Sequence, residues 1–189
     1  VIYLIGAFPT GYTVAKLFGV DITEKGSGNV GATNVARTAG KLPGAVTLAG
    51  DILKGIIACF VGERLFNLGC YAGFAATVAV MGHCFSLPPI LKGGKGVATA
   101  FGTALYFAPY AAISACVFFA AIFCARRQVS LSSLGAAFVL PLFLAIMPSY
   151  SWLVLPFSII TIVVIYRHKE NIVRLAQKRE EPFSFCNGS

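Results

Sequence analysis

Long apolar runs separated by short polar loops make up most of this chain. Seven apolar segments can be distinguished, at residues 1–18, 43–64, 69–87, 96–108, 109–125, 130–147 and 150–166. Several of them lack charge over the roughly 17–25 residues that a helix needs to span a bilayer. The pattern predicts an all-α polytopic membrane protein with about seven transmembrane helices, some of them short.

The fourth segment is the shortest of the seven. Its 13 residues, 96–108, would rise about 20 Å as a helix, against a hydrocarbon core of about 30 Å. Pro109 separates it from the fifth segment, because proline interrupts a helix. The alternative to a complete span at this position is a half-helix or a re-entrant element. In that case the chain would have five or six complete spans.

The composition agrees with a single membrane domain. Of the 189 residues, 57% are apolar and 12% are charged, whereas a soluble domain carries about 25% charged residues. The chain shows no repeat and no linker, so residues 1–189 are expected to form one domain. The six cysteines have neither a CxxC motif nor paired spacing, so the sequence indicates no disulfide, no metal and no cofactor.

The basic residues predict an orientation in the membrane. Twelve of the fifteen Lys and Arg residues fall in loops on one side of the predicted bundle, and these are Lys25, Arg37, Lys41, Lys92, Lys95, Arg126, Arg127, Arg167, Lys169, Arg174, Lys178 and Arg179. The positive-inside rule places that side in the cytoplasm. The N-terminus is then outside and the C-terminus is cytoplasmic. The net charge of +8 mainly reflects this orientation, and no nucleic-acid partner is indicated.

Three cytoplasmic loops hold most of the remaining polar residues, and the first covers residues 26–37. It reads Gly-Ser-Gly-Asn-Val-Gly-Ala-Thr-Asn-Val-Ala-Arg. The glycines match G-x-G-x-x-G, but no strand precedes them, which excludes dinucleotide binding. Thr33 or Asn34 is expected to cap a helix whose free N–H groups attract anions, with Arg37 gripping phosphate one turn later. The alternative is a tight turn with a solvated Arg37.

The second loop covers residues 92–99 and reads Lys-Gly-Gly-Lys-Gly-Val-Ala-Thr. Glycines let the backbone approach a ligand, and the lysines add positive charge, as an anion site requires. Pro89 and Gly96 depart from the Walker A motif, so ATP hydrolysis is not indicated. A flexible basic turn is the alternative.

The third loop carries His168 and Asn171, which lie three residues apart and therefore share a helix face. A juxtamembrane helix with a solvated His168 is the alternative. Asp51 and Lys54 are expected to form a structural pair inside the second segment, because unpaired charges are costly there, and a catalytic role is the alternative. His83 is also expected to be structural. No Ser-His-Asp arrangement and no G-x-S-x-G elbow can be defended.

In these three motifs the chain resembles the PlsY-type family of bacterial acyl-phosphate:glycerol-3-phosphate acyltransferases. Family members look like Gly-Ser-Gly-Asn-x-Gly-Ala-Thr-Asn-x-x-Arg, here 26–37, Gly-Gly-Lys-Gly-Val-Ala-Thr, here 93–99, and Arg-His-x-x-Asn-Ile-x-Arg-Leu, here 167–175. The His-x4-Asp pattern of the other large class of glycerolipid acyltransferases is absent. One departure is Lys178, where the family usually has Gly, while Glu180 keeps the acidic position.

The resemblance implies an acyltransferase of phospholipid synthesis in the bacterial cytoplasmic (inner) membrane, with its active site facing the cytoplasm. It would transfer a fatty acyl group from acyl phosphate to the 1-hydroxyl of sn-glycerol 3-phosphate, giving lysophosphatidic acid and inorganic phosphate. The implied partners are acyl phosphate, glycerol 3-phosphate and membrane lipid, without an obligate protein partner.

The resemblance also implies a site for two phosphates. The residues expected to act in catalysis are Ser27, Arg37, Lys95, His168 and Asn171. Those expected to bind substrate phosphate are Gly26, Gly28, Asn29, Gly31, Thr33, Asn34, Gly93, Gly94 and Gly96. The first loop is assigned to acyl phosphate and the Lys95 group to glycerol 3-phosphate, with the reverse left open. Either His168 or a substrate phosphate takes the hydroxyl proton, and the second route is favoured.

Two other functions would fit parts of the pattern. A transporter of a phosphorylated metabolite would explain the spans and the anion loops, but it predicts inverted repeats and polar groups near the midplane. Here the polar groups collect on one side. A membrane scaffold could attract anionic lipid with its basic loops, but it would not need the cluster of Ser27, Asn29 and Asn34.

Overall fold

The computed structural model describes residues 1–66, 71–86 and 93–184, without the side chains of residues 65 and 66. All regular structure in these ranges is helical, which confirms the predicted all-α class. The elements are α1 Ile2–Ala7, α2 Thr10–Leu17, α3 Ala32–Thr38, α4 Lys41–Phe66, α5 Gly73–Phe85, α6 Val97–Phe107, α7 Pro109–Arg126, α8 Val129–Ala145, a 3₁₀ helix Pro148–Leu153, α9 Val154–Arg167 and α10 Lys169–Ala176. Parts of segment three and of the second loop, including Cys70 and Lys92, lie outside the described residues, as does Cys186.

Three stretches among the described residues are long and apolar enough to cross a membrane. They are Lys41–Arg64 in α4, Pro109–Arg126, and Pro148–Arg167, which joins the 3₁₀ helix to α9. The apolar helices α5, α6 and α8 are shorter. The expectation that segment four is short is confirmed, since the 11 residues of α6 rise only about 16 Å.

The first apolar segment is not one continuous helix, so the prediction of a single element over residues 1–18 is wrong. It forms α1 and α2, which are separated by Phe8 and Pro9. Proline lacks the N–H group that would continue the helical hydrogen bonds. The Phe8 carbonyl, freed from the helix, accepts a hydrogen bond from Lys54 Nζ at 2.9 Å.

Glycines let the short helices pack closely on their neighbours. A Cβ added at Gly102 would lie 2.1 Å from the carbonyl oxygen of Ile52, so α6 meets α4 at its backbone. A Cβ at Gly82 would lie 2.2 Å from the carbonyl oxygen of Tyr3, which brings α5 equally close to α1. Small residues at helix contacts are typical of membrane bundles, where close van der Waals packing replaces the hydrophobic effect.

A buried polar cluster joins α4 to α5. Lys54 Nζ lies 2.8 Å from Asp51 Oδ1, and His83 Nδ1 lies 3.6 Å from the same oxygen. All three residues are buried. The structural pair expected for Asp51 and Lys54 is thus confirmed, with His83 added to it. The cluster contacts the second loop through His83, whose carbonyl oxygen accepts a hydrogen bond from the Gly94 N–H.

Candidate active site

The side chain of Asn34 holds the first loop in shape. Its Oδ1 accepts a hydrogen bond from the Ser27 N–H at 3.0 Å, and its Nδ2 donates to the carbonyl oxygens of Lys25 and Asn29. Asn34 is buried inside α3, and the N-cap of that helix is Gly31. The expectation that Thr33 or Asn34 caps the helix is therefore wrong, because the Asn34 amide is used to close the loop that precedes it.

Gly26 and Gly28 fit this loop because both have positive φ, at 61° and 65°. A Cβ at Gly26 would also lie 2.2 Å from Asn34 Oδ1. Asn29 Oδ1 accepts a hydrogen bond from the Gly31 N–H at 2.9 Å. The loop is therefore a tight, glycine-dependent turn closed by two asparagines, and the Ser27 side chain is exposed on it.

The second loop is held between His83 and Arg167. The N–H of Gly94 donates to the His83 carbonyl oxygen at 3.0 Å. From the other side, Arg167 donates through Nη2 to the Gly93 carbonyl oxygen at 2.6 Å and through Nε to that of Gly94 at 2.9 Å. The Arg167 guanidinium therefore binds both carbonyl oxygens at once. These contacts hold the loop in one conformation, in contrast to the flexible basic turn considered above.

Lys95 projects from this loop toward α10. Its Nζ donates to Asn171 Oδ1 at 2.5 Å, which joins the second and third loops across 76 positions of the sequence. Gly96 follows with φ at 82° and begins α6. Burial lowers the pKa of Lys95 to about 8, although the nearby Glu180 carboxylate opposes the shift. Lys95 is therefore a partly desolvated ammonium that still carries its charge near pH 7.

His168 lies at the junction of α9 and α10 and is only 2% exposed. The alternative of a solvated His168 is therefore wrong. Its Nδ1 lies 2.8 Å from the Val164 carbonyl oxygen. A carbonyl can only accept, so Nδ1 carries the hydrogen and Nε2 keeps its lone pair. Burial, followed by the charge of Lys95, lowers the pKa of His168 to about 4, so the ring is neutral near pH 7.

The chain beyond α10 turns back toward these loops and brings in Glu180, the acidic position that follows the third motif. Glu180 accepts hydrogen bonds from Ser130, Asn171 and Arg174. The Phe183 ring lies 5.5 Å below the guanidinium of Arg37. In the sequence, the acidic residue at position 180 is the signal that the tail takes part in these contacts.

The structure thus brings part of the expected site into direct contact. Lys95 and Asn171 are hydrogen-bonded, and the charges of Lys95 and Arg37 are close enough to act on each other. His168 lies within reach of the Lys95 charge. Ser27 and Thr33 lie on the neighbouring first loop, and their side chains make no described contact with the Lys95 group. Three further residues join the site. Arg167 and Glu180 enter the sequence analysis only as positions of the family pattern or of the basic loops, and Ser130 is not considered there, so none of the three is expected in the site.

Comparison with known proteins shows the family of the chain. Residues 1–178 match the family model described as glycerol-3-phosphate acyltransferase. The chain is 40% identical over 183 residues to the glycerol-3-phosphate acyltransferase of Geobacter sulfurreducens, covering 97% of this chain and 94% of that one. It is 40% identical over 179 residues to that of Bacillus subtilis strain 168, covering 94% and 92%.

A solved structure has the same fold. The crystal structure of PlsY (YgiH), an integral membrane glycerol 3-phosphate acyltransferase, superposes in its glycerol 3-phosphate form with a TM-score of 0.90. That protein is 38% identical, and the match covers 97% of this chain and 92% of the other. Its lysophosphatidic acid form gives a TM-score of 0.88.

Proposed function

Because this chain belongs to the glycerol-3-phosphate acyltransferase family, we propose that the loops gathered around Lys95 form the site at which it acylates its substrate. The protein is an integral membrane acyltransferase that transfers a fatty acyl group to glycerol 3-phosphate in phospholipid synthesis. The hydrogen bond from Lys95 Nζ to Asn171 Oδ1 carries the assignment of the site, since it unites two of the three motifs.

The proposed acyl donor is acyl phosphate. The oxygen of the 1-hydroxyl of glycerol 3-phosphate attacks the acyl carbonyl carbon and forms the new ester bond. The bond between that carbon and the bridging phosphate oxygen breaks, and inorganic phosphate leaves with its electron pair. Because phosphate is a good leaving group, positioning and charge stabilisation can supply most of the rate enhancement.

The cations near Lys95 suit the two phosphates of this reaction. Arg37 can bind phosphate through two N–H groups at once, while Lys95 offers a compact charge on the neighbouring loop. We assign the glycerol 3-phosphate group to Lys95, with Asn171 and His168 beside it. The backbone N–H groups of the first loop, from Gly26 to Gly31, are assigned to the acyl phosphate, with Ser27, Thr33 and Arg37 at its edge. Asn29 and Asn34 keep that loop closed.

The neutral state of His168 bears on the route of the hydroxyl proton. A base whose conjugate acid has a pKa of about 4 accepts a proton poorly near pH 7. The phosphate group of the acyl donor becomes more basic as its bond to the acyl carbon breaks, so it is the better proton acceptor. In the proposed mechanism the departing phosphate takes the proton, and His168 Nε2 accepts a hydrogen bond from the hydroxyl group and orients it.

The proposed location is the bacterial cytoplasmic membrane, with the N-terminus outside and the site facing the cytoplasm. One observation, interpreted with the positive-inside rule, supports this placement. The Lys and Arg side chains near the site, including Arg37, Arg167 and Arg174, meet at one end of the bundle. The positive-inside rule assigns such an end to the cytoplasm. We also propose that residues 1–189 form one domain.

The function can be tested with purified protein reconstituted into sealed vesicles. Palmitoyl phosphate and labelled glycerol 3-phosphate should give labelled lysophosphatidic acid and an equal amount of inorganic phosphate. Vesicles that take up labelled glycerol 3-phosphate without forming lysophosphatidic acid would instead support a transporter. A folded, monodisperse sample that forms no product contradicts the proposed reaction.

A further inference from the structure

The carboxylate of Glu180 accepts hydrogen bonds from three side chains. Its Oε1 accepts from Ser130 Oγ at 2.6 Å and from Asn171 Nδ2 at 2.7 Å, and its Oε2 accepts from Arg174 Nε at 2.7 Å. The side chain is only 11% exposed. Although burial raises the pKa of Glu180, the hydrogen bonds from Ser130, Arg174 and Asn171 outweigh it and hold the pKa below its ordinary value. Glu180 is therefore ionised near pH 7.

The backbone around Glu180 is also held in place. Its carbonyl oxygen accepts a hydrogen bond from Gln128 Nε2 at 2.9 Å. Three residues later, the N–H of Phe183 donates to the Arg127 carbonyl oxygen at 2.6 Å. These contacts tie the tail to the start of α8, so the position of Glu180 does not depend on its side chain alone.

Glu180 determines which way the Asn171 amide points. A carboxylate only accepts hydrogen bonds, so the Nδ2 end of Asn171 must face Glu180. The Oδ1 end then faces Lys95 Nζ, which only donates. The reversed amide would place its NH₂ group against the ammonium and its oxygen against the carboxylate. The orientation of the Asn171 amide is thus fixed, because Lys95 on one side can only donate and Glu180 on the other can only accept.

We propose that Glu180 is a positioning residue that acts through Asn171 to hold the Lys95 ammonium group in the substrate phosphate site. This inference rests on the proposed function, because that function makes Lys95 a phosphate ligand. Glu180 itself touches no reacting atom. Its effect comes from the fixed orientation of one amide and from its negative charge near Lys95.

The charges around Lys95 make this role measurable. Arg37 from α3 and Arg174 from α10 lower the pKa of Lys95, whereas Glu180 and Glu170 raise it. His168, at the start of α10, is neutral. Burial has the largest effect and brings the pKa to about 8. Lys95 is charged below this value and loses its charge as the pH rises through it, so loss of the Glu180 charge moves this transition to lower pH.

The test compares the pH dependence of kcat/KM for glycerol 3-phosphate in three proteins, since kcat/KM reports groups of the free enzyme. They are the wild type, Glu180→Gln and the control Glu181→Gln. Glu181 is the exposed neighbouring acid and makes no described side-chain contact. We expect Glu180→Gln to lower kcat/KM by about 10- to 100-fold at pH 7. The fall of kcat/KM at high pH, which reports the loss of the Lys95 charge, should begin at a lower pH in this variant. Glu181→Gln should match the wild type.

A second readout follows Lys95 without catalysis. Acetic anhydride labels only neutral amines, and mass spectrometry gives the extent of labelling at Lys95 at each pH. The labelling midpoint should fall in Glu180→Gln. If that variant does not fold, Arg174→Gln replaces it, and removal of this cation should raise the midpoint.

The proposal would be overturned if Glu180→Gln lost activity while the pH profile of kcat/KM and the labelling midpoint of Lys95 stayed unchanged. Glu180 would then act only on stability. An unshifted midpoint in Arg174→Gln would overturn it equally. If the wild type makes no lysophosphatidic acid, the proposed function fails, while the Lys95 midpoints still report the effect of Glu180 on that lysine. The two failures are therefore distinguishable.

Discussion

The imidazole ring of His83 lies directly against Gly94: a Cβ added at residue 94 would come within 2.1 Å of His83 Nε2. The ring is buried, and its Nδ1 faces Asp51 Oδ1 at 3.6 Å within the polar cluster. Gly94 also contributes its carbonyl oxygen to the fork from Arg167. The second loop is therefore fixed on both faces, and its shape depends on the missing side chain at position 94.

Substitution of Gly94 by alanine should displace the loop and Lys95 with it. Because a misplacement of about 1 Å can cost about 100-fold in rate, we expect Gly94→Ala to lower kcat/KM by about that factor. Thermal unfolding in detergent should show that the helical bundle remains folded. A variant with normal kcat/KM would show that Lys95 does not depend on this contact.

His168→Ala tests the route of the proton. If the departing phosphate takes the proton, the variant loses one orienting hydrogen bond, and kcat should fall by about tenfold. Loss of an essential general base would cost about 10²- to 10⁴-fold. The measurement is kcat at saturating concentrations of both substrates. A fall within that larger range, with intact folding, would assign the proton to His168.

The helical segments could be predicted because a run of apolar residues has few alternatives in a membrane. The break at Phe8 and Pro9 was missed because proline is tolerated in membrane helices when another group satisfies the freed carbonyl. At this break the Phe8 carbonyl oxygen accepts hydrogen bonds from the Thr10 N–H and from Lys54 Nζ, and Lys54 lies 46 residues further along the chain. A local pattern does not reveal such a partner.

The candidate site shows the same limit. The motifs placed Lys95 and Asn171 in separate loops on one face, and the structure joins them. The role of Asn34 was assigned wrongly. An asparagine side chain can cap a helix or can hydrogen-bond the backbone of a neighbouring loop, and the sequence does not distinguish the two roles. Glu180 was recognised as the acidic position of the family pattern, but its role was not assigned, because its partners lie 6 to 50 residues away and only the folded chain brings them together.

The pair of Asp51 and Lys54 gives a prediction about stability. Breaking a buried ion pair leaves one charge without a partner, so Asp51→Leu should lower the free energy of unfolding by about 3–5 kcal/mol. The double variant Asp51→Leu/Lys54→Met replaces both charges by apolar groups and should recover most of that loss. Thermal unfolding of the purified proteins measures both. Equal destabilisation of the single and double variants would contradict a pairwise role.

The central claim is that the loops meeting at Lys95 form the site of acyl transfer, and Lys95→Met tests it most directly. The control is Lys169→Met, which removes an exposed lysine from α10. The measurement is the formation of labelled lysophosphatidic acid from palmitoyl phosphate and labelled glycerol 3-phosphate by purified, folded protein. Loss of one oriented donor should lower kcat/KM in Lys95→Met by about 10²- to 10³-fold, while Lys169→Met keeps the wild-type rate. A Lys95→Met protein that forms product at the wild-type rate would contradict the account.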